Sequence, residues 1–228
     1  RPASSNITLS DDIDYTKGGK YDLVSDASVH IRKRKAAGAW RLVSYDRTKR
    51  RRIARPLEHQ VHAHSYRHEL ETFYHALEDI TRTMPTKCTI TQHMDCKGGL
   101  KKLAQSIDAP RTTMDTDMDI VLAYNKLQKE SHHSVVHQWV RGHAKEKEED
   151  PSNIKPMEHE NEGCDEDANE CVDYGPPPPP FQPLPGHKAM LRLQGRWVTT
   201  HHRPCIRFAN TSIPLMQYAC KRLDITEA

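Results

Sequence analysis

A run of apolar residues, Tyr21-Asp22-Leu23-Val24 to Val29-His30-Ile31, encloses Ser25-Asp26-Ala27-Ser28, a carboxylate between small polar residues. Such a run predicts a buried strand. An ionised carboxylate there is costly unless something cationic neutralises it. Downstream, Glu69, Asp95 and Asp165 each fall at a predicted element end or beside an apolar stripe. Four carboxylates brought from distant positions to one point would make a cage for hard divalent cations, which take oxygen ligands. Whether they meet depends on the elements that carry them.

Residues 1–19 are polar, without periodicity, and read as a linker. Three strands follow at Tyr21–Ile31, Ala39–Tyr45 and about Arg52–His62, joined by short turns, so an antiparallel meander is expected, with Gly38 at a tight turn. Ser65 is placed to cap a helix from Tyr66 to Thr83, whose stripe is Tyr66, Leu70, Phe73, Leu77 and Ile80. Glu69 lies at the edge of that stripe, whereas Glu71 and Glu78 read as surface charges. Cys88–Met94 predicts a strand with Asp95 at its end, followed by a short helix over Leu100–Ile107. A helix over Asp117–Lys129 and a strand over Val135–Val140 come next. Ala144–Glu160 is charged and patternless, the signature of a flexible loop. Glu162–Val172 predicts a last helix with Cys164, Ala168 and Cys171 on one side. The fold class is therefore α/β, a mixed sheet with helices packed on it.

Pro176–Pro180, with Pro183 and Pro185, forbids helix or central strand and reads as a polyproline spacer over 175–186. A ligand for an aromatic groove is the alternative. Residues 187–228 form a small C-terminal module or fragment, with short strands expected at Leu191–Thr200 and Ile206–Phe208 and a helix at Ile213–Leu223.

Charge is segregated. From Arg32 to Arg55 there are eleven basic residues against one acid, Asp46; from Ala144 to Tyr174 twelve acids face three bases. The basic block suits a polyanionic partner or a solvated hairpin. Six scattered cysteines with no CxxC pair argue against a disulfide framework and for a reducing compartment. No apolar run approaches membrane-spanning length and no secretory leader is visible, so an intracellular, cytoplasmic or nuclear location without a membrane partner is expected. The start at Arg1 suggests a module of a longer polyprotein. The pairs His62/His64, His132/His133 and His201/His202 match no tetrahedral zinc pattern and read as surface histidines; His187, His201, His202 and Cys205 are the nearest zinc alternative.

Five local words occur in order: Ser25-Asp26-Ala27-Ser28; Ser65-Tyr66-Arg67-His68-Glu69-Leu70; Met94-Asp95; Trp139-Val140-Arg141-Gly142-His143; and Glu160-Asn161-Glu162-Gly163-Cys164-Asp165-Glu166-Asp167-Ala168. Together, over residues 20–174, they resemble the type 1 ribonuclease H domain, especially the copy attached to retroelement reverse transcriptases. The resemblance implies a five-stranded mixed sheet, an antiparallel meander followed by parallel strands. It implies cleavage of the RNA strand of RNA–DNA hybrids with two Mg²⁺ ions, for which Mn²⁺ can substitute. Asp26, Glu69, Asp95 and Asp165 would hold the metals and His143 would be the mobile loop histidine assisting proton transfer or product release. Two cations about 4 Å apart stabilise both the attacking water and the leaving oxygen of an in-line displacement. Arg32, Lys33, Arg34, Lys97, Lys101 and Lys102 are candidate phosphate contacts, and a reverse transcriptase in the same polyprotein the expected partner.

The chain departs from the family's pattern at Cys96 (for Asn or Ser), at Asp167 (for Leu) and in the long stretch from His143 to Glu160. The span from Leu103 to Asp117 leaves no room for the basic extra helix of cellular relatives, which favours the retroelement type. An inactive nucleic-acid-binding relative within a polymerase is the alternative. An integrase-type strand-transfer enzyme ranks lower, because that group ends its set with Glu on the last helix.

Overall fold

The computed structural model describes residues 6–58, 65–104 and 117–180, Leu184, and short pieces of residues 191–211. Strands β1 (Ile7–Asp11), β2 (Lys20–His30), β3 (Lys35–Ser44), β4 (Arg50–Leu57), β5 (Thr89–Met94) and β6 (Ser134–Trp139) form one sheet in the order β1-β4-β3-β2-β5-β6. The first four pair antiparallel, while β2–β5 and β5–β6 are parallel. This is the mixed α/β sheet expected, with one strand more. The sixth comes from the stretch read as a linker: Ile7–Asp11 pairs with Arg51–Ala54 of β4, and Ile13 is buried in the core. Of its two apolar residues Ile7 is partly buried and Leu9 exposed, too little to give a periodic signal.

Side chains alternate between the faces, as strand geometry requires. Leu23, Trp40, Leu42, Ile53 and Ile90 pack with Ala76, Ile80 and Met84 beneath α1 (Ser65–Thr83). Val24, Ala37, Ala39 and Ala54 pack on the other face against Cys164, Ala168, Cys171 and Val172 of α5 (Pro156–Tyr174). Small residues on this second face let α5 lie close, near enough for the Cys164 thiol to donate to the Val24 carbonyl at 3.4 Å. On the first face α2 (Lys97–Leu103) and α3 (Met118–Glu130) extend the cluster of Leu70, Phe73, Met94 and Tyr124.

Several sequence expectations are corrected. Gly38 lies within β3 opposite Ala27, not at a turn. A Cβ there would fall 2.1 Å from Thr72 Oγ1, so its role is the close approach of α1. The β2–β3 turn is instead closed by Arg34 at φ 52°. Glu71 is buried rather than a surface charge, its carboxyl held below the usual range despite burial by His68, Arg67 and His75. The stretch expected as a flexible loop contains α4 (Ala144–Lys147), one 3₁₀ turn at Pro151–Asn153 and the start of α5. Polar bonds hold it in place: Arg141 donates to Glu148 and Glu158, and Asn153 to Glu148. Hydrophobic periodicity is blind to such ties. In the region of the first expected C-terminal strand, β7 (Leu191–Leu193) and β8 (Arg196–Val198) pair antiparallel. Ile206 and Arg207 are helical, not strand. The helix expected at 213–223 lies outside the described residues, as do residues 59–62 of the third predicted strand and His187, His201, His202 and Cys205. Among the described residues Cys88, Cys96, Cys164 and Cys171 are free thiols, and no helix is long and apolar enough to cross a membrane.

Candidate active site

The C-terminal ends of the parallel strands carry Asp26 and Asp95. Asp26 is buried in β2. Its carboxylate accepts the Ala27 backbone N–H at 2.7 Å and the Asn161 side-chain amide of α5 at 3.3 Å. Asp95 follows β5. Its Oδ2 lies 2.1 Å from where a Cβ on Gly142 would be, so only glycine after β6 leaves it room. Glu69 extends from the first turns of α1, and Asp165 from the middle of α5. A relay from β2 fixes Asp165: the Ser28 hydroxyl donates to Asn169 at 2.6 Å, and the Asn169 amide donates to Asp165 at 3.0 Å.

These four acids share one electrostatic neighbourhood. Burial raises the Asp26 carboxyl well above the usual carboxylate range, and the charges of Asp95, Asp165 and Glu69 push it further. Glu69 is raised by burial and by Asp95, against the opposing pull of a Cys96 hydrogen bond and of His143. Asp95 and Asp165 are raised by burial, each relieved in part by His143. The sequence-predicted acids and His143 are thus neighbours. They do not form a closed cage: among the described residues no three His, Cys, Asp or Glu side chains converge as a ready-made metal cluster would.

The donor set nonetheless fits a hard divalent cation. It is all oxygen, and its raised pKa values express unmet demand for positive charge. Beside Asp26, the buried Oδ1 of Asn161 has no hydrogen-bond partner.

His143 is exposed and opens α4 in the left-handed region, φ 51° and ψ 45°, between buried Gly142 and Ala144. From α4, Lys147 Nζ donates to the Gly142 carbonyl at 2.8 Å and lowers the Asp95 carboxyl by its charge. Cys96 does the capping work that Asn or Ser would do. Its sulfur accepts the Gly99 N–H at 3.4 Å at the start of α2, and burial pushes its thiol up to about 11.

The predicted cationic contacts divide. Arg32 and Arg34 are exposed on the β2–β3 turn, at the same end of the sheet as the acids. Lys33 is bound to Asp173 at 2.8 Å. Lys97 lies 4.0 Å over the half-exposed Trp139 ring, whose N–H donates to the Asp95 carbonyl. Lys101 is exposed, while Lys102 is half-buried, 3.8 Å from Asp117.

Sequence reasoning did not single out Asn161, Asn169, Ser28 or Lys147. A signal existed for two of them, since Asn161, Asp165 and Asn169 are spaced one helical turn apart and so share a face of α5.

Among solved structures the chain is similar to the RNase H1 of the halophilic archaeon Halobacterium salinarum NRC-1, at 19% identity and TM-score 0.49, over 68% of this chain and 98% of that one. It is similar to LC11-RNase H1, solved in complex with an RNA/DNA hybrid, at 12% identity and TM-score 0.47, over 67% of this chain and 96% of that one. The PFV RNase H domain aligns at 11% identity and TM-score 0.46, over 68% and 93%. At these identities the likeness is one of chain path alone. No protein-family model matches the chain, and no curated protein matches it.

Proposed function

We propose that this chain is a metal-dependent endoribonuclease of the ribonuclease H type, hydrolysing the RNA strand of RNA–DNA hybrids as part of a retroelement and beside its reverse transcriptase. The observation that carries the reading is the convergence of charge. Acids from four separate elements, far apart in sequence, lie close enough that Asp95, Asp165 and Glu69 raise the Asp26 carboxyl, while the charge of His143 lowers Glu69, Asp95 and Asp165.

Asp26, Glu69, Asp95 and Asp165 would hold Mg²⁺ or Mn²⁺. Bound there, two such ions supply Lewis-acid stabilisation of the charge that builds on a scissile phosphodiester. The chain's own residues do the positioning. Asn161 and the Ala27 N–H hold the Asp26 carboxylate, Asn169 and Ser28 hold Asp165, and Gly142 admits Asp95. The exposed His143 imidazole can exchange a proton with solvent next to these carboxylates. Glu69, at the start of α1, would orient the RNA 2′-hydroxyl. Recognition of the hybrid would rest on phosphate and 2′-OH contacts, which carry little sequence preference. Arg32, Arg34, Lys97 and Lys101 are the groups offered for this.

A second reading is an inactive module that grips nucleic acid. Incubation of labelled hybrid, duplex DNA and duplex RNA with the protein in Mg²⁺ and in Mn²⁺, beside Asp26→Asn, separates the two. The first reading expects cutting of the RNA strand of the hybrid only, falling at least about 100-fold in the variant, more than the loss of an outer-shell partner produces. Equal cutting of all three duplexes, or cutting untouched by Asp26→Asn, overturns it. Hybrid binding without cutting in either metal selects the second.

A further inference from the structure

Pro176–Pro180 leave the domain from the end of α5, where the Gly175 N–H donates to the Cys171 carbonyl at 2.9 Å. Cys171 and Val172 are buried against the sheet. Eight residues beyond Pro176, Leu184 is buried again, in the cluster of Leu70, Phe73, Met94 and Tyr124 on the opposite face. The segment is therefore tied to the domain at both ends and does not simply lead away from it.

Five consecutive prolines admit one backbone. Each ring locks its own φ, and each proline excludes the helical region for the residue before it. The result is a left-handed polyproline helix with three residues per turn and about 3.1 Å rise. Pro179 is half-buried, whereas Pro176, Pro177, Pro178 and Pro180 are exposed, and Tyr174 just before them is 86% exposed. Pro177 and Pro180, one turn apart, form a free apolar edge with Pro178 beside it.

The chemistry of this edge selects its partner. Residues 176–180 have no backbone N–H, so they cannot join a sheet edge, which needs donors as well as acceptors. They offer apolar rings and carbonyl acceptors. No Lys or Arg occurs between Lys155 and Lys188, so nucleic acid has nothing to pair with here. An aromatic-lined groove whose side-chain N–H or O–H groups donate to the free carbonyls satisfies both features. The helix needs no ordering on binding, because its conformation is already set.

We propose that Pro176–Pro180 is a docking strap, held in place by α5 and Leu184, for a separate protein domain that carries such an aromatic groove. This stands apart from the catalytic reading.

The test uses the full chain with isolated SH3-, WW- and EVH1-type domains as probes, followed by groove-tryptophan fluorescence and calorimetry. At least one type is expected to bind with 1:1 stoichiometry. Pro177→Ala/Pro178→Ala/Pro180→Ala is expected to weaken it about tenfold or more, leaving the melting temperature of the domain unchanged. Raising the ionic strength from about 0.05 to about 0.5 M should leave an apolar contact of this kind intact. Failure of all three probe types, equal binding by the triple variant, or a triple variant whose only effect is a lower melting temperature would each overturn the proposal.

Discussion

Asp26 shows how much of the candidate site is governed by one buried charge. Its carboxyl is raised by burial first and by Asp95 next, so the folded chain holds a proton there at pH values where the unfolded chain has lost it. Between the ordinary carboxylate value and the raised one, stability falls as pH rises, and the penalty is complete above the folded pKa. Other carboxylates run the opposite way: Glu78 and Glu158 are lowered, and their contribution is lost as pH falls. The difference between variants isolates the site. Asp26→Asn should melt higher than the native protein in chelator at pH 7, by on the order of 1 kcal/mol per pKa unit relieved, and the gap should close toward pH 4. Mg²⁺ should raise the melting temperature of the native protein but not of the variant, because only binding to the folded form stabilises it. Scanning calorimetry across pH, with and without metal, checks both. Gly142→Ala should displace Asp95, lowering hybrid cleavage and the Mg²⁺-induced shift together.

At the scale of elements, α5 is held to the sheet by ion pairs. Asp167 is buried and accepts from Arg41 Nη2 at 2.9 Å and from Arg52, while Arg41 also reaches Glu160 and the Gly163 carbonyl. Gly163 makes space for it, since a Cβ there would fall 2.0 Å from Arg41 Nη1. Asp167→Leu leaves the half-desolvated Arg41 guanidinium with Glu160 and the Gly163 carbonyl only and should cost about 2 kcal/mol, the range for a lost hydrogen bond to a charged group. Asp167→Leu/Arg41→Met should recover most of that, since exchanging a buried pair for apolar residues is often neutral. Denaturant melts of the two single variants and the double give the coupling directly. On the other face, Gly38→Ala would meet Thr72 at 2.1 Å and should cost about 1–3 kcal/mol, the range for overpacking. Thr72→Ala should relieve it only in part, because the Thr72 Cβ itself would remain 2.8 Å away.

Across the whole molecule, charges segregated along the chain cancel in space. Lys33, Arg41, Arg50 and Arg52 of the basic block pair with Asp173, Glu160 and Asp167 of the acidic helix, and Arg51 pairs with Asp79. The block therefore offers a polyanion fewer free cations than its composition suggests. The residues flanking β1 belong to the same assembly: Asn6 donates to Asp79, and Arg51 donates to the Tyr15 hydroxyl. Removing residues 1–19 should therefore lower the melting temperature by several degrees and expose the β4 edge to self-association, which light scattering would register.

The strands and helices that carry an apolar period were legible without coordinates, because Leu70, Phe73, Leu77 and Ile80 recur at helical spacing and the runs around Asp26 and Asp95 are continuous. The four acids and His143 stood out as candidates, each embedded in a local word, and the fold brings them within reach of one another's charge. The folding of the stretch after His143, the sixth strand, the true role of Gly38 and the pairing of Asp167 with Arg41 were decided by tertiary structure alone. Each depends on a contact between residues remote in the chain, or on polar bonds, and neither leaves a periodic trace in hydrophobicity.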